Sequence, residues 1–368
     1  VEQEGKGMNV FEDRDGDIWY GTSQRGVVWF QPRQDFIKIY QRDYSNPASL
    51  ADDGVHGFLP VGKDEMFVGT SKGLSKLTKS NGRFFNYTYS VTASGNYPAG
   101  AMRSLTMHGD TIIMATDFGL SFYNKKTAAF KRVIAKDEMK LQPFELFANG
   151  IAKTYYTVSG ELLLMEFNGG AARYDIKTGH CFYSSNSDGT DSLFSFHDIN
   201  SSAYDTLHKK LWVESGSGQL HEYDLLTKKS TRHFYEKDSV MKTITAMAIN
   251  SRGAVWLATN NGLVFYDPKT KKSPLYPLPA TTQNLFNVAA RDGETIWVTT
   301  TNEVVKLDAN TGKAVSFNLN ALLPHVILSK RSLLLMMKTA HGSAATKAFA
   351  YLTKRRFNRG KACRHHTW

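Results

Sequence analysis

Seven copies of one short pattern run through residues 1–325 of this 368-residue chain, and that repetition constrains the fold more than any other feature. Each copy reads as a turn, an apolar run around a bulky anchor, a short polar turn, and a second apolar run. The anchors are Trp19, Phe67, Ile113, Leu164, Trp212, Trp256 and Trp297, and successive anchors lie 41 to 51 residues apart. Small pairs follow the anchor in Gly21-Thr22, Gly69-Thr70, Ala115-Thr116, Ala258-Thr259 and Thr299-Thr300. Glu166-Phe167 and Glu214-Ser215 are the degenerate versions. Gly73, Gly119, Gly170, Gly218 and Gly262 each stand six residues past an anchor, Gly26 is displaced by one, and Glu303 replaces Gly in the seventh copy.

A second signal trails each unit. Asn124…Thr127, Asp175…Thr178, Asp224…Thr227, Asp267…Thr270 and Asp308…Thr311 share one spacing. An Asx side chain bonds the backbone N–H groups ahead of it and so starts a tight turn. The lysines beside these positions read as solvated hairpin tips. Runs such as Val27-Val28-Trp29-Phe30 and Leu263-Val264-Phe265-Tyr266 are apolar at consecutive positions, as strands buried on both faces are. No 3.6-residue period supports a helical solenoid. Short β-rich units every 40 to 50 residues predict an all-β propeller of seven blades with about four strands each.

The stretch Ile18-Trp19-Tyr20-Gly21-Thr22…Gly26-Val27, preceded by Glu12-Asp13-Arg14-Asp15-Gly16, resembles the two-component regulator propeller repeat, usually spelled W-I-G-T-x-x-G-L. Seven copies in phase carry the resemblance across residues 1–325; the fourth lacks both Trp and Gly-Thr, and the seventh lacks its Gly. The WD-repeat signature is absent. The resemblance implies the periplasmic sensor region of a hybrid two-component system of the kind found in gut Bacteroidetes. It further implies an oligosaccharide ligand from a polysaccharide, a homodimer, and a histidine kinase downstream in the full-length protein.

Net charge misleads until it is located. The formal +11 comes from 45 Lys and Arg against 34 Asp and Glu. From Val326 to Trp368 there is no acidic residue, while Lys330, Arg331, Lys338, Lys347, Lys354, Arg355, Arg356, Arg359, Lys361 and Arg364 are basic. The body is balanced, so no nucleic-acid partner is expected of it. The tail, residues 326–368, reads as a coding frame shifted by one base. Taking the third base of each codon with the first two of the next, Met336-Met337 forces Asp and Met337-Lys338 forces Glu. Continuing, the shifted frame permits D-D-E-[D/N]-G-x-W-[I/V/L]-G, an eighth repeat in the family's spelling. At face value the tail is a disordered basic extension, or stands in place of a last blade. The start at Val1, with no initiator Met and no signal pattern, suggests a fragment or mature form. No apolar run reaches the roughly 18–20 residues of a membrane helix. Two cysteines, Cys181 and Cys363, decide nothing about redox compartment.

The search for catalytic constellations is mostly negative. Gly69-Thr70-Ser71-Lys72-Gly73 spells G-x-S-x-G, but as the ordinary turn of the second repeat, with no helix to follow. Gly57 to Lys63 spells most of a phosphate loop, yet Asp64 stands where a Mg²⁺-binding hydroxyl belongs. Histidines at 56, 108, 180, 197, 208, 221 and 233 show no ligand spacing. No catalytic residue, metal site or cofactor is expected, and the chain reads as a non-enzyme. Propellers bind ligands at a mouth of the central channel through loops between blades. Two long aromatic and polar inter-repeat segments mark such loops. Tyr87, Tyr89, Tyr97, Phe194, Phe196 and His197 are the candidates to stack on sugar faces, and Asn86, Ser195, Asp198 and Asn200 to bond hydroxyls. The opposing expectation is that these aromatics pack under their own loops. A free-standing propeller lyase or glycoside hydrolase, and a protein-interaction scaffold, are the alternative functions.

Overall fold

The computed structural model describes residues 7–318, apart from 32–35, 89–99, 118, 134–150, 158, 167–168, 184–188, 216–218, 234–243, 277, 280–284, 286, 291–293 and 301–302. Seven four-stranded antiparallel sheets follow one another along the chain, each built from one continuous segment with its strands paired in sequence order. They close into a ring, a seven-bladed β-propeller, as the repeat count predicts. The predicted tail at 326–368 lies outside the described residues.

The innermost strands of sheets 1 to 7 are Gly7–Glu12, Val55–Val61, Met102–His108, Ile151–Tyr156, Ile199–Asp205, Ile244–Ile249 and Asn287–Ala290. The second strands carry the anchors: Ile18–Thr22, Glu65–Thr70, Thr111–Thr116, Glu161–Glu166, Lys210–Ser215, Val255–Thr259 and Thr295–Thr299. These are among the most buried segments, with every residue of Ile18–Thr22 and Val255–Thr259 inside. Because each blade is sandwiched between two others, both faces of its second strand are apolar.

The core lies between blades. Seven apolar clusters form, one at each junction of neighbouring sheets, including the junction of sheet 7 with sheet 1. Every anchor except that of sheet 4 reaches forward into the next blade: Trp19 packs with Val55, Phe58 and Met66 of sheet 2, and Trp256 with Val288, Ile296 and Val298 of sheet 7. Burying such a side chain contributes several kcal/mol, since Trp→Ala in a core costs about 3–5 kcal/mol.

Sheet 4 corrects one sequence assignment. The repeat spacing makes Leu164 its anchor, but Leu164 packs backward against Ile113 and Ala115 of sheet 3. Leu163 reaches forward to Leu211 and Val213 of sheet 5 and is the true equivalent. The turn explains the slip. In sheets 2, 3 and 6 the closing Thr bonds a glycine three residues on, whereas the Glu166 N–H bonds the Gly170 carbonyl four residues on. Counting back from Gly170 therefore lands one residue late.

The Asx signal is carried as expected. Asn124 and Asp175 each accept two backbone N–H groups in the third-to-fourth-strand turn, and Asp224 and Asp308 do the same.

Candidate functional site

The inner strands have no sheet partner on their axial side, so they wall the central channel. The channel has two mouths. The linkers between sheets open at one, the linker mouth, and the turns between first and second strands at the other, the turn mouth.

At the linker mouth, six of the seven inner strands carry one extra residue near their start: Met8, His56, Arg103, Ala152, Asn200 and Thr245 have no opposite number on the second strand. A bulge re-aims the side chain it releases. His56 Nε2 lies 2.9 Å from Ser71 Oγ, and Arg103 Nε donates to Asp117 Oδ1 at 2.5 Å. Burial, then the neighbouring Arg103 charge, hold the His56 imidazole below its ordinary pKa. The repeat spacing does not encode the bulges, so His56 appeared in the sequence only among scattered histidines and Arg103 not at all.

The residues expected to bind sugar divide into three groups. Tyr89 and Tyr97 lie outside the described residues. Asn86 and Tyr87 stand on the outermost strand of sheet 2, Arg83–Thr88. Asn86 Nδ2 donates to the Ser49 carbonyl at 2.7 Å and pins the linker to its own sheet, while the Tyr87 and Tyr123 hydroxyls lie 2.7 Å apart across the sheet 2–3 junction. The third group stands on sheet 5 and the linker before it, with sheets 3 and 4 between it and sheet 2. Phe196 is buried in the junction of sheets 4 and 5, and Phe194 lies under the Arg173 guanidinium, 5.8 Å from its ring centre. His197, Asp198 and Asn200 are exposed at the linker mouth, with His197 Nδ1 3.1 Å from Asp198 Oδ2.

Three buried polar groups hold that linker. Arg173 pairs with Asp191 and bonds the Tyr223 hydroxyl at 2.9 Å, and Tyr223 donates to Asp191 at 2.8 Å. With charge and hydroxyl mutually satisfied, the desolvation cost is offset locally. Beside it, Glu166 occupies the place that Thr22, Thr70, Thr116 and Thr259 hold elsewhere. Burial pushes its carboxyl up to about 7.

The turn mouth holds a cavity of about 500 Å³, within the range of small-molecule sites. Sheets 1, 5, 6 and 7 line it, with Phe11, Glu12, Tyr204, Asp205, Asn250 and Ser251 among its walls. Asp205 Oδ1 accepts the N–H groups of Leu207 and His208, and Oδ2 accepts His208 Nδ1 at 2.6 Å. The chemistry is aromatic faces beside carboxylate, amide and hydroxyl groups. None of these lining residues is a binding candidate in the sequence, where Glu12 figures only in the repeat motif, because they converge from four blades through ordinary repeat positions. Among the described residues, no three His, Cys, Asp or Glu side chains gather as a metal-ligand set.

No family model matches the chain, and no curated protein matches it. Solved structures do. The extracellular domain of the putative hybrid two-component system BT4673 from B. thetaiotaomicron aligns at 16% identity and a TM-score of 0.61, covering 83% of this chain and 38% of that one. A second structure of that domain, described as a putative one-component system, gives 17% identity, the same TM-score and 39% of its length. Virginiamycin B lyase from Staphylococcus aureus aligns at 12% identity and a TM-score of 0.59, covering 82% of this chain and 93% of the lyase. The chain thus spans well under half of the BT4673 domain and nearly all of a lyase. What these likenesses share with it is the propeller fold.

Proposed function

We propose that this chain is a ligand-binding sensor propeller, the extracellular or periplasmic part of a membrane-anchored hybrid two-component regulator that responds to a polysaccharide-derived oligosaccharide. The observation that carries the reading is the cavity of about 500 Å³ at the turn mouth, where Phe11 and Tyr204 stand beside Glu12, Asn250 and Ser251. Aromatic rings cover the apolar faces of a sugar, and carboxylate, amide and hydroxyl groups bond its hydroxyls. The likeness to the BT4673 extracellular domain supports the sensor context. The kinase, the homodimer and the shifted reading frame after residue 325 belong to the same proposal. Among the described residues no helix is long and apolar enough to cross a membrane.

The experiment is calorimetric titration of the purified chain with a panel of plant and host oligosaccharides, followed by chromatography of the recovered sugars. One saccharide class binding and returning intact is the expected result, with Tyr204→Ala and Asn250→Ala each weakening it about tenfold or more. A panel without a binder defeats the reading. Cleaved or rearranged sugar would instead favour an enzyme, for which the His208–Asp205 pair at the cavity's edge is the feature to examine.

A further inference from the structure

Six of the seven neighbouring pairs of inner strands run close along one another; the inner strands of sheets 4 and 5 approach least closely of all. Long side chains bridge that gap. Lys153 Nζ donates to the Ser202 carbonyl at 2.9 Å, and the Tyr155 hydroxyl donates to the same carbonyl at 2.7 Å. The Tyr155 ring in turn meets Tyr204, a wall of the turn-mouth cavity, at 6.0 Å between centroids. Ser202 and Tyr204 are two residues apart on one strand, so the carbonyl that holds the ammonium lies about 7 Å along that strand from the cavity wall.

Among the described residues, Lys153 is a cation without an anion. Its one hydrogen bond goes to a neutral carbonyl, and no carboxylate pairs with it among the described residues. The acids on the elements around it are engaged elsewhere or stand off. Glu214, buried on the second strand of sheet 5, shares the face of Trp212, which packs towards sheet 6, whereas Val213 between them packs towards sheet 4. Glu161 faces Arg173, Asp205 holds His208, Asp198 holds His197, and Glu166 lies over its own turn beside Gly169. Glu12, the cavity's other carboxylate, is on sheet 1, across the ring. Burial alone depresses the lysine, to about 8. An ammonium kept in such a place with two unused donors is one anion short of a satisfied site.

We infer that Lys153 is a carboxylate-binding subsite of the channel, and that the ligand is an acidic saccharide whose uronate group passes Tyr204 and pairs with this ammonium. This rests on the sensor reading and narrows its ligand to uronic-acid sugars. The charge-assisted bond supplies both the counter-ion that the described residues do not provide and the discrimination against neutral sugars, which leave Lys153 without that bond.

The test uses the whole chain with its lysines reductively methylated with ¹³C-formaldehyde, so that each reports its own titration by NMR. The signal titrating near 8 is assigned to Lys153 by its loss in Lys153→Gln. Adding D-glucuronate is expected to raise that midpoint, while equal D-glucose leaves it in place. Calorimetry of the unmodified chain with digalacturonate is expected to show binding at pH 7 that falls about tenfold in Lys153→Met, survives in Lys153→Arg, and fades above pH 8. A midpoint that glucuronate does not move, or digalacturonate binding indifferent to Lys153→Met, overturns the inference. Binding of a neutral oligosaccharide alone would overturn it too, while leaving the sensor reading intact.

Discussion

Lys153 lies two residues into the inner strand of sheet 4 and Glu166 closes the second strand of the same hairpin, and burial drives both towards their neutral forms, with opposite consequences for pH. Lys153 titrates near 8 in the folded chain, against 10.5 for a free lysine. Between those values the unfolded chain holds the extra proton, so stability is gained as pH rises through that window and is lost as pH falls through 8. Lys153→Met should therefore raise the melting temperature at pH 7 and flatten the rise between pH 8 and 10.5, whose slope is at most about 1.4 kcal/mol per pH unit. Glu166 behaves as a raised acid, about 7 in the fold against 4.5 free. Its contribution is present below pH 4.5 and is lost as pH rises to 7. Glu166→Gln should remove that decline, seen as a smaller loss of melting temperature from pH 5 to pH 7 than the parent chain shows. A lysine serving only as a structural strut predicts the same melts but no response to uronate, so the two kinds of measurement separate packing from binding.

At the level of the strand and its turn, the Gly-Thr pair shows what the repeat is for. Thr70 Oγ donates to the Gly73 carbonyl at 2.8 Å and accepts the Lys72 N–H at 3.2 Å, closing the turn from both sides. Glu166 cannot sit as compactly, and Glu166→Thr should stabilise the chain by about 0.5–2 kcal/mol in chemical denaturation, as restored consensus residues do. Gly69 serves a different end. A Cβ there would come within 2.4 Å of the Met102 carbonyl on the next inner strand, so Gly69→Ala should cost about 1–3 kcal/mol as the blades part. Ala115 and Ala258 fill the same place in sheets 3 and 6, which shows that each junction sets its own tolerance. Repetition made the strands, anchors and Asx turns readable, because local chemistry repeated in phase leaves few alternatives. The site was another matter. Phe194 and Phe196 are aromatic for packing, and nothing local distinguishes a ring over Arg173 from a ring awaiting a sugar. Tyr204, Asp205 and Asn250 meet at the cavity only because sheets 5 and 6 are neighbours in a ring. Lys153 escaped for the same reason: its isolation from acids is a fact of three-dimensional packing.

Across the whole molecule, closure is the question that the repeats pose and the sheets answer. Sheet 1 comes entirely from the beginning of the described chain and sheet 7 entirely from its end, so no strand is shared between them. The join is made by side chains: Phe30 meets Trp297 at 6.1 Å and Phe317 at 5.6 Å, over a cluster with Val10, Tyr20 and Val304. Phe30→Ala and Trp297→Ala should each lower stability by about 3–5 kcal/mol. Because both open the same junction, the double variant should fall short of the sum by about 0.5–3 kcal/mol in a denaturant cycle. Full additivity would mean that the junction contributes nothing as a unit. The closed ring also bears on the tail. An eighth sheet cannot enter without prising sheets 7 and 1 apart at this aromatic join. If the coding DNA, resequenced from about codon 320, yields the W-x-G repeat of the shifted frame, that repeat therefore opens the next unit of a longer protein. The expected reading is an eighth repeat continuing into further sequence, with the seven sheets here unchanged by its addition in hydrogen exchange. A confirmed frame ending at Trp368 would instead leave a basic extension beside a closed propeller, and would remove the sensor proposal's route to a kinase.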